Sequence, residues 1–225
     1  MSLPQVIVWY FVTLLLSWLS FPLGWKVFRA LPSKGYFLLR PLGLLLWGFI
    51  FWILTSLKLL SNDLPGQMTA LILLLVVNLL IAQKDGFRMY RDWIRQNVRT
   101  ILAGELLFLV AFGAWAFVRS NNPEIVNTEK FMEMGFINAI LRSPEFPPND
   151  PWLSGYGISY YYFGYLMGAM LIRITGVASS VGYNLISAMW FGLTAIGSYG
   201  ILFDLLASRK KNGAATSEAP QTPQW

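Results

Sequence analysis

Apolar runs of about 18 to 20 residues, long enough to cross hydrocarbon as helices, recur along this chain with polar linkers between them. Six windows approach that pattern, the third and fifth of them short with soft boundaries: Leu3 to Leu23, Phe37 to Leu57, Gln67 to Ala82, Ile101 to Val118, Tyr160 to Thr175 and Tyr183 to Leu206. Backbone polar groups cannot stay unpaired in lipid, and these runs are too long and too Leu-rich for barrel strands, so helices are expected. The predicted fold class is all-α, a polytopic transmembrane bundle of about six spans with a large outer loop carrying a short interfacial helix. Residues 1–100 read as a three-span unit, 101–207 as a loop-bearing membrane unit with its outer loop at 119–159, and 208–225 as a disordered tail.

Linker charge sets the expected sidedness. Lys26, Arg29, Lys34 and Arg40 follow the first window, and Lys84, Arg88, Arg91, Arg95 and Arg99 follow the third, so both linkers are expected in the cytoplasm. The nearly neutral stretch 61–66 and the acidic loop 119–159 are then expected outside, in a multi-pass protein of the cell membrane. Six crossings would leave the tail outside, against the preference of Arg209-Lys210-Lys211; a re-entrant sixth segment would bring it inside. Between Gly86 and Thr100, Phe87, Tyr90, Trp93, Ile94 and Val98 fall near one helical face and the arginines on the other, predicting a helix in the inner interface.

Composition narrows the chemistry. The chain is 56% hydrophobic and 12% charged with mean hydropathy +0.52, too little polar surface for a water-soluble globule. It has no Cys and no His, which leaves carboxylates, amines and phenols for any catalysis. The net charge of +6 is accounted for by inner linkers and anionic lipid, so no nucleic-acid partner is expected. The first window, with Trp9 and Trp18 and no basic start, reads as an uncleaved span.

The loop 119–159 is far longer than bundle connections of about two to eight residues. Asn127 and Thr128 are suitable caps for a proline-free helix over Glu129 to Leu141. On it Glu129 and Glu133 share a face, and with Glu124 they are candidates for a general base or a divalent-cation site; two solvated glutamates beside Lys130 is the bland alternative. Four prolines between Pro144 and Pro151 then exclude helix and build an arm that sets Phe146, Trp152, Tyr156 and Tyr160 to Tyr162 near the outer lipid boundary. Glu105, a turn inside the fourth window, is expected to reach back to Arg95 or Arg99 as a structural acid.

The run from Pro123 to Val177, with Thr128-Glu129-Lys130, Arg142-Ser143 to Phe146-Pro147-Pro148, Asp150-Pro151-Trp152 and Tyr160-Tyr161-Tyr162-Phe163-Gly164, resembles a family of uncharacterised multispan membrane proteins of chloroflexi and archaea named for its Tyr-Tyr-Tyr motif. Phe131, Glu133, Ser159 and Tyr165 depart from the Pro, Asp, Asn and His usual there. That family is similar in layout to polytopic glycosyltransferases that take a sugar from a polyprenyl-phosphate carrier. The resemblance implies Glu129 as the leading catalytic acid, with Glu133 and Glu124 behind it. It implies Lys130, Arg142, Asp150, Trp152, Tyr160, Tyr161 and Tyr162 as substrate-binding residues, with a divalent metal ion as a possible aid. Enzymes of that layout have more spans, so this reading expects an N-terminal portion or a C-terminal companion subunit. The alternative is a noncatalytic scaffold or partner subunit that binds another protein through its outer loop.

Overall fold

The computed structural model of the protein describes residues 1–127 and 129–217, with side chains described through Arg209. Among them there is no strand beyond an isolated Asn149–Gly157 bridge, so the all-α expectation holds. The helices are α1 (Leu3–Leu19), α2 (Phe21–Val27), α3 (Leu39–Ser56), α4 (Leu64–Asp85), α5 (Phe87–Gln96), α6 (Val98–Asn121), α7 (Lys130–Arg142), α8 (Phe163–Thr175) and α9 (Ser179–Ser217), with a 3-10 turn at Tyr36–Leu38 leading into α3. Thr128 and residues 218–225 lie outside the described residues, including one of the two predicted caps of α7 and the end of the predicted disordered tail. Helix α9 carries the chain on to Ser217, into the polar stretch where the sequence predicts disorder.

Local chemistry sets several boundaries. Pro22 sits in the first turn of α2, and the Ser20 hydroxyl donates to the Leu16 carbonyl at 3.0 Å, so the chain bends 53° between α1 and α2. Asp63 caps α4 by accepting from the Gly66 N–H at 2.8 Å. Gly176, with φ +67°, closes α8 in the left-handed conformation that glycine adopts without strain.

One hydrophobic core joins the helices. Glycines let backbones approach: the Leu16 backbone of α1 lies against Gly43 of α3, and Phe108 and Phe112 of α6 lie against Gly192 of α9. Helices α6 and α9 run antiparallel. Arg119 Nε of α6 donates to Asn184 Oδ1 of α9 at 2.7 Å, Trp115 Nε1 to Ser187 Oγ at 3.0 Å, and toward the far end Phe37 packs on Gly200. There Asp204 of α9 accepts from the backbone N–H and the hydroxyl of Ser33, both at 2.7 Å. The bundle therefore has a basic end, with Ser33 and the Lys26 to Lys34 linker, and a loop end, with Asn184, Arg119 and the start of α7.

The span count is corrected. Among the described residues four helices are long and apolar enough to cross a membrane, or five with the bent pair α1 and α2 counted as one span. The predicted span Tyr160 to Thr175 is not one. Its helix α8 has 13 residues, about 20 Å of rise against a hydrocarbon layer of about 30 Å. Phe163, at the start of α8, packs near Gly48 midway along α3, and Arg173, near its end, bonds to Asn62 at the loop end. Ile172 then faces Gly182, and Ile186 faces Gly168, so α8 and α9 form a hairpin. The irregular arm descends, α8 returns to the loop end, and α9 crosses to the basic end. Helix α9 runs from Asn184 at the loop end past Asp204 at the basic end, so Arg209 lies with the basic linkers, and it is the fifth segment, not the sixth, that turns back.

The irregular arm anchors itself through buried Phe146, Pro148 and Ile158 and satisfies part of its backbone internally. The Asn149 N–H donates to the Ser143 hydroxyl at 2.8 Å, the Asp150 N–H to Tyr156 O at 2.8 Å and the Ile158 N–H to Pro148 O at 2.8 Å.

Candidate functional site

Helix α7 is fixed at its C-terminal end by two side chains from other elements. Asn62 Nδ2 donates to the Ile140 and Ser143 carbonyls at 2.6 Å each, and Arg173 Nη2 donates to Leu141 O at 3.0 Å. Arg173 Nη1 also donates to Asn62 Oδ1 at 2.9 Å, which holds both caps in register. These bonds satisfy carbonyls that a helix end leaves open and set a cation against the negative end of the helix dipole. Phe136, Ile137 and Ile140 bury the inner face of α7, so its rotation is fixed as well.

That rotation separates two cavities. Glu133 and Ile137 of α7, Gly164 and Tyr165 of α8, and Tyr183, Ile186, Ser187 and Trp190 of α9 enclose a cavity of about 360 Å³. The Tyr183 hydroxyl donates to the Glu133 carboxylate. On the other side of α7 a second cavity of about 390 Å³ lies against the arm and is lined by Asn138, Arg142, Ser143, Asn149 and Asp150 among others.

The predicted site residues therefore divide. Glu133 is the predicted acid that lines a cavity, and it is half-buried. Glu129 is exposed at the residue preceding α7, outside that lining, and Lys130 is the helix's first residue. Glu124 is exposed, and its carbonyl accepts from Arg119 Nη2 at 3.2 Å. Arg142 and Asp150 belong to the second cavity, where Asp150 Oδ1 is engaged by the N–H groups of Trp152 and Leu153 at 2.8 and 2.9 Å. Trp152 is exposed and sets its edge against Phe136 at 5.5 Å.

The three tyrosines precede α8 and do not lie on it. Tyr160 and Tyr161 pair through their hydroxyls at 2.6 Å, whereas the Tyr162 hydroxyl accepts from Trp52 Nε1 at 2.9 Å. The Tyr160 phenol is pushed up to about 12, first by its bond to Tyr161, then by partial burial, with the Glu129 charge a smaller contributor. Among the described residues no three His, Cys, Asp or Glu side chains converge as cation ligands.

Tyr165, Tyr183, Ser187 and Trp190 are not among the predicted site residues. The last three recur with Ile186 at positions i, i+3, i+4 and i+7 of α9, a polar and aromatic stripe inside an apolar window. Also missed is the partner of Glu105. It is not Arg95 or Arg99 but Arg40, whose guanidinium pairs with the carboxylate, while Tyr10 and Tyr36 donate their hydroxyls to it at 2.9 and 2.6 Å. Arg40 was assigned to a linker although it falls inside the window Phe37 to Leu57.

The model of a family described as uncharacterized membrane protein (DUF2298) matches residues 46–220. The chain belongs to this family. The matched range takes in α4 to α9, both cavities and Glu105, and leaves out Arg40, Tyr10 and Tyr36. No curated protein and no solved structure matches the chain.

Proposed function

We propose that this family member is a membrane glycosyltransferase-like protein, or the N-terminal portion of one, that handles a polyprenyl-phosphate sugar at the loop end, with Glu133 in place of Glu129 as its working acid. The observation that carries the reading is a half-buried carboxylate, held by one phenol, facing a cavity walled by Tyr165, Tyr183 and Trp190. A cavity of about 360 Å³ lies within the range of small-ligand sites, and aromatic faces are platforms for sugar rings. Glu133 would accept the proton of an acceptor hydroxyl as the new glycosidic bond forms and the bond from the sugar carbon to the lipid phosphate breaks. Lys130, three residues before Glu133 and so on the same side of α7, is the cation offered to the departing phosphate. Gathering of Lys26, Arg29, Lys34, Lys84 and the α5 arginines at the opposite end supports an outward loop end and a cytoplasmic tail.

A second reading has its own support. The arm's tip exposes Trp152, Leu153 and Tyr156 at 60%, 62% and 69%, a patch suited to a companion subunit that binds without catalysis. One experiment separates the two. Full-length protein in nanodiscs is screened for binding and transfer with polyprenyl-phosphate sugars. Glu133→Gln is expected to lower transfer by about 10²- to 10⁴-fold, and Glu129→Gln to leave it near wild type. Full activity in Glu133→Gln would end the enzymatic reading.

A further inference from the structure

Helix α5 carries chemistry that the loop-end site does not use. Phe87, Arg88, Tyr90, Arg91, Ile94 and Arg95 line a cavity of about 560 Å³ along one flank of the helix. The helix cannot roll, because Tyr90 and Trp93 lock into an aromatic cluster with Phe21 and Trp25 at centroid distances of 5.5 to 5.6 Å. The Tyr90 hydroxyl further donates to Asp85 Oδ2 at 2.7 Å, and Lys26 pairs with Asp85 at 3.2 Å. Asp85 is thereby occupied and does not neutralise the arginines.

On this fixed helix Arg88, Arg91 and Arg95, spaced i, i+3 and i+7, form one exposed cationic row. Among the described residues Arg88 and Arg95 pair with no carboxylate, and Arg91 reaches only its neighbour Asp92 at 3.4 Å. Beside the row Phe87, 56% exposed, and Ile94 present apolar surface. The helix joins the end of α4 at Asp85 to the start of α6 at Val98, so it lies where two apolar helices of spanning length begin and end.

We infer that the cavity along α5 is a binding site for an anionic phospholipid, its phosphate held by Arg88, Arg91 and Arg95 and the start of its acyl chains laid against Phe87 and Ile94. Guanidinium groups bind phosphate through paired N–H donors, and an apolar flank of this kind has no use for a free inorganic anion. The inference is independent of the loop-end proposal.

The test uses the full chain, delipidated in neutral detergent, with lipid retention read by native mass spectrometry. Phosphatidylglycerol is expected to stay bound where phosphatidylcholine does not, and millimolar inorganic phosphate is expected not to displace it. Replacing all three arginines, as Arg88→Gln with Arg91→Gln and Arg95→Gln, should weaken retention about a hundredfold at about one factor of five per cation, with helical content unchanged. A control carrying Arg29→Gln and Arg209→Gln should keep wild-type retention. Equal loss in the control, equal retention of both lipids, or displacement by phosphate would each overturn the site.

Discussion

Glu105 and Glu133 are both acids on apolar helices, both receive tyrosine hydroxyls, and they differ in what else surrounds them. Glu105 accepts from Tyr10 and Tyr36 and pairs with Arg40, and its side chain is 16% exposed against 1% for the arginine's. The Arg40 guanidinium also lies over the rings of Tyr10 and Phe108 at 4.9 and 4.0 Å. Three donors from the fold converge on that carboxylate. Glu133 has Tyr183 and a cavity. A carboxylate whose partners all come from the fold is an internal tie, and one left with free lone pairs beside a cavity is a group that can work on a ligand. That an acid sits on a helix packed in the bundle does not distinguish the two; the number of its partners does.

The largest effect that would sharpen this contrast comes from Arg40→Ala. It leaves Glu105 charged in the bundle interior with only two phenols, and the expected cost is about 3 to 5 kcal/mol of stability. Arg40→Met combined with Glu105→Leu should recover most of that, since a well-packed apolar pair replaces a buried ion pair at little cost. Thermal unfolding in detergent measures both. If the double variant remained as unstable as the single one, the pair would not be a simple tie. Glu133→Gln in the same assay is expected to stay within about 1 kcal/mol of wild type, because that acid sits at a cavity wall.

A smaller effect, on the other side of the contrast, is expected from Arg173→Ala. Leu141 O and Asn62 Oδ1 lose a charged donor, which costs about 2 kcal/mol. The variant should also lose sugar-lipid binding while the spans stay helical, because α7 would no longer present Glu133 at a fixed angle. Unchanged binding would show that the cap has no part in placing the acid.

How much of this was readable beforehand follows the reach of each signal. Apolar runs mark helices because lipid leaves the backbone no other choice, so α3, α4, α6 and α9 were legible, as was α7 between its charged start and the prolines. Run length alone could not tell the short α8 from a crossing: its 13 residues are as apolar as a span, and its return to the loop end depends on Arg173 meeting Asn62, a contact 111 residues apart. The acid pair was visible as Glu129 and Glu133, but which of them meets a cavity depends on the rotation of α7, set by Asn62 and by the buried Phe136, Ile137 and Ile140. Arg40 was misread for a related reason. Positive charge near a window's edge counts as linker in a sequence, and only the fold brings Glu105 of α6 within reach to make burial of the guanidinium possible.

The smallest and most discriminating change is Tyr183→Phe. It removes one oxygen, keeps the ring that walls the cavity and deletes the donor to Glu133. Stability should fall by about 1 kcal/mol, the scale of a single side-chain bond inside a membrane protein. If Glu133 acts on a ligand, loss of this bond frees the carboxylate to turn and should reduce transfer about tenfold while leaving sugar-lipid binding close to wild type, since the aromatic wall is intact. The matching change at the other acid, Tyr10→Phe, should lower stability by a similar amount and leave transfer alone, because Glu105 keeps Arg40 and Tyr36. Measured side by side, the two phenylalanine variants remove the same atom from the same kind of bond, so any difference in transfer reports what the acid faces. Equal effects of both variants on transfer would mean that Glu133, like Glu105, only holds helices together.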